Sequence, residues 1–267
     1  MADFDLALSD FQRQTSVLVA LLNVVDATAA LGGNDAGPQS HLPALPPGGQ
    51  NTMAAAAIVL LAAHFEEYVR QQVQEYATHM VLEYEHLTEV EREKFTDAYW
   101  RGGTGRLSRI RPKGDPLWMG GAERNLRSLI AFPIAGNTTE FSAPLLSEHE
   151  NNMRWDTIAE LAGRIGLRKL GEAMFGHMDL RTNVGAGNKN DFEQALQRRL
   201  NEFYHRRNEI VHSIAQTAGI GVSVFAQWVE FISLIAAAFA GAAKDSFAKF
   251  QADIQVRKDR AERRNTR

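Results

Sequence analysis

Apolar residues recur at steps of three and four along most of the chain, a period that predicts helices rather than strands. Residues 3–31 place Phe4, Leu8, Phe11, Thr15, Leu18, Leu22 and Val25 on one face, a first amphipathic helix. Residues 51 to about 87 keep the period through Ile58, Leu61, Phe65, Tyr68, Val69, Val73, Tyr76, Met80 and Tyr84. At about 1.5 Å per residue that helix spans roughly 50 Å. Residues 190–213 repeat the pattern with Phe192, Leu196, Leu200, Phe203 and Ile210, and Asn190 with Glu193 reads as a capping box at their start. A last helix is predicted from Val222 to about Phe250, its core side made of Phe225, Trp228, Val229, Ile232, Ile235 and Phe239. No internal repeat and no strand-like alternation interrupts these periods, so the class is all-α.

The breaks between helices set the domain organisation. Residues 32–51 are rich in Gly and Pro and read as a linker, with His41 a solvated loop residue. Residues 52–250 then form a single helical domain behind an N-terminal helix over 1–31. An insertion of mixed helix and loop occupies 100–155, and it opens with WRGGTGRLSRIRPKGDP, read as a Gly- and Pro-broken basic loop. Residues 176–189 read as a second loop, and the basic stretch 251–267 as a frayed tail.

The helix over 190–213 is the stretch around which the chain is expected to be organised. Arg207 falls inside its apolar stripe, between Phe203 and Ile210, where an unpaired guanidinium is costly. Asn201, His205, Asn208 and His212 line the other face. Such a helix either carries chemistry or is covered on both sides.

Composition narrows the chemistry. The 267-residue chain has a net charge of −3 and no cysteine, so disulfides, thiolate metal sites and Cys nucleophiles are excluded. The absence of cysteine suits a reducing cytoplasm, and the N-terminus lacks the basic and apolar regions of a signal peptide. The longest apolar run, 231–243, is read as a buried core helix too short to span a bilayer, with no membrane role expected. A polyanion would have to meet a local basic patch. Arg101, Arg106, Arg109, Arg111 and Lys113, flanked by Trp100 and Trp118, either supply one, with cations for phosphates and rings for unpaired bases, or form a basic surface loop that pairs with the acidic stretch just before it.

Three segments carry a family resemblance. Arg207-Asn208-Glu209-Ile210-Val211-His212 matches the R-x4-H motif of the HEPN superfamily, including a polar residue directly after the Arg. His64-Phe65-Glu66 resembles the "aHfE" pattern of the RiboL-PSP branch, and 155–167 resembles the segment that precedes its motif helix. The resemblance implies a helical bundle, a homodimer and a metal-independent endoribonuclease with a composite site, of the kind used as a toxin or phage-defence effector. It implies RNA as the partner, with an antitoxin or regulatory protein as a further one. His212 would be the general acid/base, Arg207 would hold the scissile phosphate and Asn208 would orient, with His205 in a supporting place; Glu66, at the edge of its apolar stripe, is either a boundary carboxylate at a packing seam or the partner that orients Arg207. No cofactor or metal is implied. Some HEPN toxins carry a modifiable Tyr two residues after the motif His; Ile214 stands there instead.

Arg207 and His212 lie five residues apart, so on one regular helix they diverge by about 140°. Two facing copies could aim both at one phosphate, and so could a helix that ends at the motif. Two rival readings remain open. Glu83-x2-His86 and Glu209-x2-His212 are E-x-x-H pairs of the ferritin-like kind, and His205, Glu209 and His212 have a spacing that suits zinc. Alternatively the chain is a non-catalytic helical dimerisation or RNA-binding module whose Arg207 is a paired structural residue.

Overall fold

Apolar side chains cover most of the girth of one helix, and the rest of the fold gathers on it. In the computed structural model, which describes residues 3–31, 48–109, 113–149, 151–212 and 221–265, that helix is α2 (Gly49–Leu82). The others are α1 (Phe4–Leu31), α3 (Glu89–Arg109), α4 (Pro116–Ala135), α5 (Ala143–Leu146), α6 (Trp155–Arg164), α7 (Leu170–Met174), α8 (Met178–Val184), α9 (Lys189–His212) and α10 (Val222–Asn265). Two 3-10 turns complete the described residues, which contain no strand. The fold is all-α, as the periodicity predicts.

The centre is α2, not the motif helix. It packs on α1, α5, α6, α9 and α10. Its buried alanines (Ala54, Ala55, Ala57, Ala62, Ala77) let neighbours approach closely, while Ile58, Leu61, Phe65, Tyr68 and Val69 fill the gaps. α1 runs antiparallel to it: Gln72 Nε2 donates to the Phe4 carbonyl at 2.8 Å, and Gln50 Nε2 to Asp26 Oδ1 at 3.1 Å. α10 runs parallel to it, with the Tyr68 hydroxyl on the Ala236 carbonyl at 2.6 Å and Tyr76 on Ser246 at 3.2 Å. The predicted core faces of α1, α2, α9 and α10 are buried except at Leu8, Tyr84, Ile210, Trp228 and Val229, which are half-buried.

Several loops of the sequence reading are helices. Trp100–Arg109 continues α3, because Gly102 and Gly103 serve close packing rather than a turn. A Cβ at Gly102 would lie 2.5 Å from the Leu145 carbonyl oxygen, and one at Gly103 would lie 2.3 Å from the Leu129 side chain. Residues 116–135 form one helix with Asp115 as its cap, and it includes Gly120, Gly121 and Pro133. Within the predicted loop 176–189, α8 forms with the His177 ring accepting from the Leu180 amide. The cap of α9 sits two residues earlier than Asn190: Asn188 Oδ1 accepts from the Asp191 amide at 3.0 Å, and Asn188 Nδ2 donates back to the Asp191 carboxylate at 2.6 Å. The linker reading falls mostly on 32–47, outside the described residues; from Gly49 the chain is already α2.

The basic stretch 251–265 is no frayed tail. It extends α10, and ion pairs dock it. Arg257 forks onto Glu91 at 2.6 and 3.0 Å and reaches the His86 carbonyl, while Lys258 meets Glu83 at 2.6 Å. Glu91 also forms the capping box of α3 with Thr88. The Arg257 hydrogen bonds, with those from Thr88, hold the Glu91 carboxyl at about 2, down from 4.5. A depressed folded-state pKa stabilises the fold above about 4.5, and that contribution is lost as pH falls toward 2. Glu91→Gln should therefore melt below wild type at neutral pH, with the gap closing through that acid window. Thermal melts across pH check this; a gap independent of pH would refute it.

By length and composition alone α2 and α10 would both pass as membrane spans, as the core helix of a globular fold also can. In the fold Phe231, Ile232, Ile235, Ala236 and Phe239 of the 231–243 run are buried. Two apolar stripes stay exposed: Val17, Leu21 and Val24 on α1, and Leu126, Ile130 and Ile134 on α4.

Candidate active site

The buried side of α9 (Phe192, Leu196, Leu200, Phe203 and Tyr204) seats it against α2, α6, α7 and α8. Glu193 accepts from the Trp155 indole at 3.0 Å and so ties the start of α6 to α9. This fixes the segment between α5 and α6, which brings Asn152 and Arg154 beside the motif helix.

Arg207 is half-buried, one turn beyond Tyr204 on the same side of the helix. Its Nη1 donates to Asn208 Oδ1 at 3.1 Å. The same oxygen accepts from Asn152 Nδ2 at 3.2 Å, so both amides are held in place. Arg207 Nε is buried and has no hydrogen-bond partner among the described residues. The expected ion pair with Glu66 does not form. Instead Glu66 and Arg207 both lie near the Tyr204 hydroxyl, which is itself buried and without a hydrogen bond of good geometry. Burial pushes that hydroxyl's pKa well up, the Glu66 carboxylate adds to the rise, and the Arg207 guanidinium opposes it.

His212 is exposed in the last turn of α9, and no partner of its ring is seen among the described residues. Nothing described joins it to Arg207 within the chain, as their divergence on one helix requires. His205 is also exposed and lies 3.4 Å from Glu209, which in turn takes Arg206 at 3.1 Å. Glu83 is engaged by Lys258, and no group of three or more His, Asp or Glu side chains is clustered for a metal among the described residues.

The basic residues of the insertion fare unevenly. Arg101 is exposed and pairs with Asp97 at 2.9 Å. Arg106 pairs with Glu148, which also lies 4.0 Å from Arg70, so its charge is largely neutralised. Lys113 is exposed. The Arg109 side chain and Arg111 lie outside the described residues. Glu148 and Asn152 lie at this region and at the motif respectively, since Glu148 holds Arg106 and Asn152 holds Asn208.

The family model RiboL-PSP-HEPN matches residues 34–245. The chain belongs to the RiboL-PSP-HEPN family. No curated protein and no solved structure gives a significant match. The matched span of this HEPN chain takes in α2, the insertion, α6, the motif helix and the first half of α10.

Three residues at the site escaped the sequence reading. Tyr204 had a signal, its three-residue spacing from Arg207. Asn152 and Arg154 had none, because only the fold brings them to α9. Tyr204→Phe should leave the melting temperature unchanged or raise it, since it deletes a buried hydroxyl that makes no hydrogen bond of good geometry. A drop of several degrees would show instead that the hydroxyl is bonded in solution.

Proposed function

We propose that this HEPN protein is a metal-independent endoribonuclease that cuts RNA at a site shared by two copies of the chain. One observation carries the reading. Arg207 sits at a packing seam, oriented by Asn208 and Asn152, yet no carboxylate pairs with it among the described residues. A structural arginine at such a seam needs a counter-ion, because a half-buried guanidinium without one is destabilising. An arginine kept for an incoming phosphate needs the place left open. The exposed ring of His212 fits the same reading, and the matched family supports an RNA-related role.

In the proposed reaction the RNA 2′-hydroxyl attacks the adjacent phosphorus. An imidazole takes the proton from that hydroxyl or gives one to the departing 5′-oxygen. The guanidinium fork of Arg207 binds the non-bridging oxygens as charge builds on them, and its permanent charge suits that task. Asn208 holds the fork in place. The products carry 2′,3′-cyclic phosphate and 5′-hydroxyl ends. Toxin or phage-defence action in a reducing cytoplasm, under the control of a partner protein, is the biological role that fits such an activity.

The test is cleavage of a labelled, structured RNA by the purified protein in EDTA, with the product ends mapped. Cyclic-phosphate ends without metal support the reading. Cutting that EDTA stops would redirect attention to metal chemistry, and no cutting at all would favour an RNA-binding module.

A further inference from the structure

Beside the motif, the exposed face of α9 forms one wall of an open groove of about 630 Å³. Gln194, Gln197, Arg198, Asn201 and His205 line it from the helix, and Arg154 closes it from the segment before α6. Gln194, Arg198, Asn201 and His205 follow one another at steps of four, three and four, with Gln197 beside Arg198, and the next step is Asn208. The groove thus ends at His205, one turn short of Asn208 on the same face of the helix. From Gln194 to His205 it extends about 16 Å at about 1.5 Å per residue, room for two or three nucleotides.

Its charge is also distinctive. Neither Arg154 nor Arg198 makes an ion pair or a side-chain hydrogen bond among the described residues. Their neighbours on α9 are committed: Arg199 stacks on the Phe231 ring at 4.2 Å and donates to Asn183, and Arg206 pairs with Glu209. The one acidic residue in the lining is Glu202. Two uncommitted guanidiniums therefore flank a row of side-chain amides. Guanidiniums bind phosphates, while amides donate to and accept from base edges that only unpaired nucleotides present freely.

We propose that this groove is a subsite for unpaired RNA continuous with the scissile phosphate, with Arg154 and Arg198 gripping the backbone and Gln194, Gln197 and Asn201 facing the bases. The inference rests on the ribonuclease reading of the adjoining site and adds a substrate preference to it: the strand must be single-stranded on this side of the cut.

The experiment measures binding apart from cleavage. Fluorescence anisotropy follows a labelled 12-nucleotide unpaired RNA, and the same strand in a blunt duplex, on the cleavage-deficient protein His212→Ala. The same protein carrying Arg154→Ala and Arg198→Ala is the comparison. The expected result is at least a tenfold loss of affinity for the unpaired strand. The salt dependence should fall by about 1.4 in log–log slope, at about 0.7 for each phosphate that is no longer neutralised. The duplex should bind more weakly and change less. In the otherwise wild-type background, the two substitutions should raise KM and leave kcat unchanged.

Unchanged affinity and slope would overturn the proposal, as would equal losses for strand and duplex. A shift in sedimentation with RNA affinity intact would make the groove a contact between copies of the chain, which also overturns it. The two readings fail separately. A wild type that cuts RNA while the arginine substitutions change nothing sinks the groove alone. A wild type that cuts nothing, with strand binding still dependent on both arginines, sinks the nuclease alone.

Discussion

His212→Ala should lower the rate of RNA cleavage by two to four orders of magnitude, about the range that a positioned acid/base contributes. The melting temperature should hardly move, because the ring is exposed and no partner of it is seen among the described residues. Substitutions at such positions usually change stability by less than about 0.5 kcal/mol. Arg207→Ala should also abolish cleavage. Arg207→Lys should restore little, because a point charge replaces a planar fork. Initial rates on labelled RNA in EDTA, with melting curves alongside, check all three, and wild-type rates for His212→Ala would refute the assignment.

The same two variants test whether the site is shared. If each site takes Arg207 from one chain and His212 from the other, an equimolar mixture of the two inactive proteins regains activity. Half the dimers would be mixed, each with one intact site, giving about a quarter of the wild-type rate for a closed two-fold dimer. No recovery after subunit exchange would place each site within one chain. That would require the two side chains to reach around about 140° of helix.

Gly102→Ala should destabilise the fold by about 2–3 kcal/mol, in the range of an over-packed contact. The new Cβ would sit 2.5 Å from the Leu145 carbonyl oxygen, and backbone cannot turn aside as a flexible side chain can. It would also lie 3.2 Å from Arg164 Nη1. That nitrogen donates to the Leu146 and Glu148 carbonyls at 2.7 and 2.6 Å. The disturbance therefore falls on Leu146 and Glu148, a few residues before Asn152 in the chain, so cleavage should weaken along with stability. At about 2–4 °C per kcal/mol for a chain near this size, the melting temperature drops by roughly 5–10 °C. Gly121→Ala is the control of opposite sign. Nothing lies within 4 Å of its Cβ, and alanine there should stabilise α4 by up to about 1 kcal/mol. Equal effects from the two substitutions would show that Gly102 contributes only its backbone freedom.

The glycines of α3 show where local reading stops. Trp-Arg-Gly-Gly-Thr-Gly looks like a loop because glycine weakens an isolated helix. Gly102 and Gly103 are present because α5 and Leu129 leave no room for a side chain, a fact held by residues some 25 to 45 positions away. The tail failed in the same direction. RKDRAERRN has no apolar stripe, yet it stays helical because Glu91 and Glu83 receive Arg257 and Lys258. The capping error at α9 was smaller: Asn188 and Asn190 are equally good caps, and Glu193 was already engaged by Trp155.

The all-α class, the inward faces of the long helices and the Arg207–His212 motif were legible in the sequence itself, because each depends on spacing along a single helix. Its resemblances also placed the chain in the family that the family match shows. Tertiary structure decided which charges remain available. Glu148 takes Arg106, Phe231 and Asn183 take Arg199, and Arg207 is left with two asparagines and a buried tyrosine beside it. Periodicity is a short-range property that the chain carries in its order. Whether a charge is paired depends on which distant residues the fold brings within a few ångströms, and no local pattern records that.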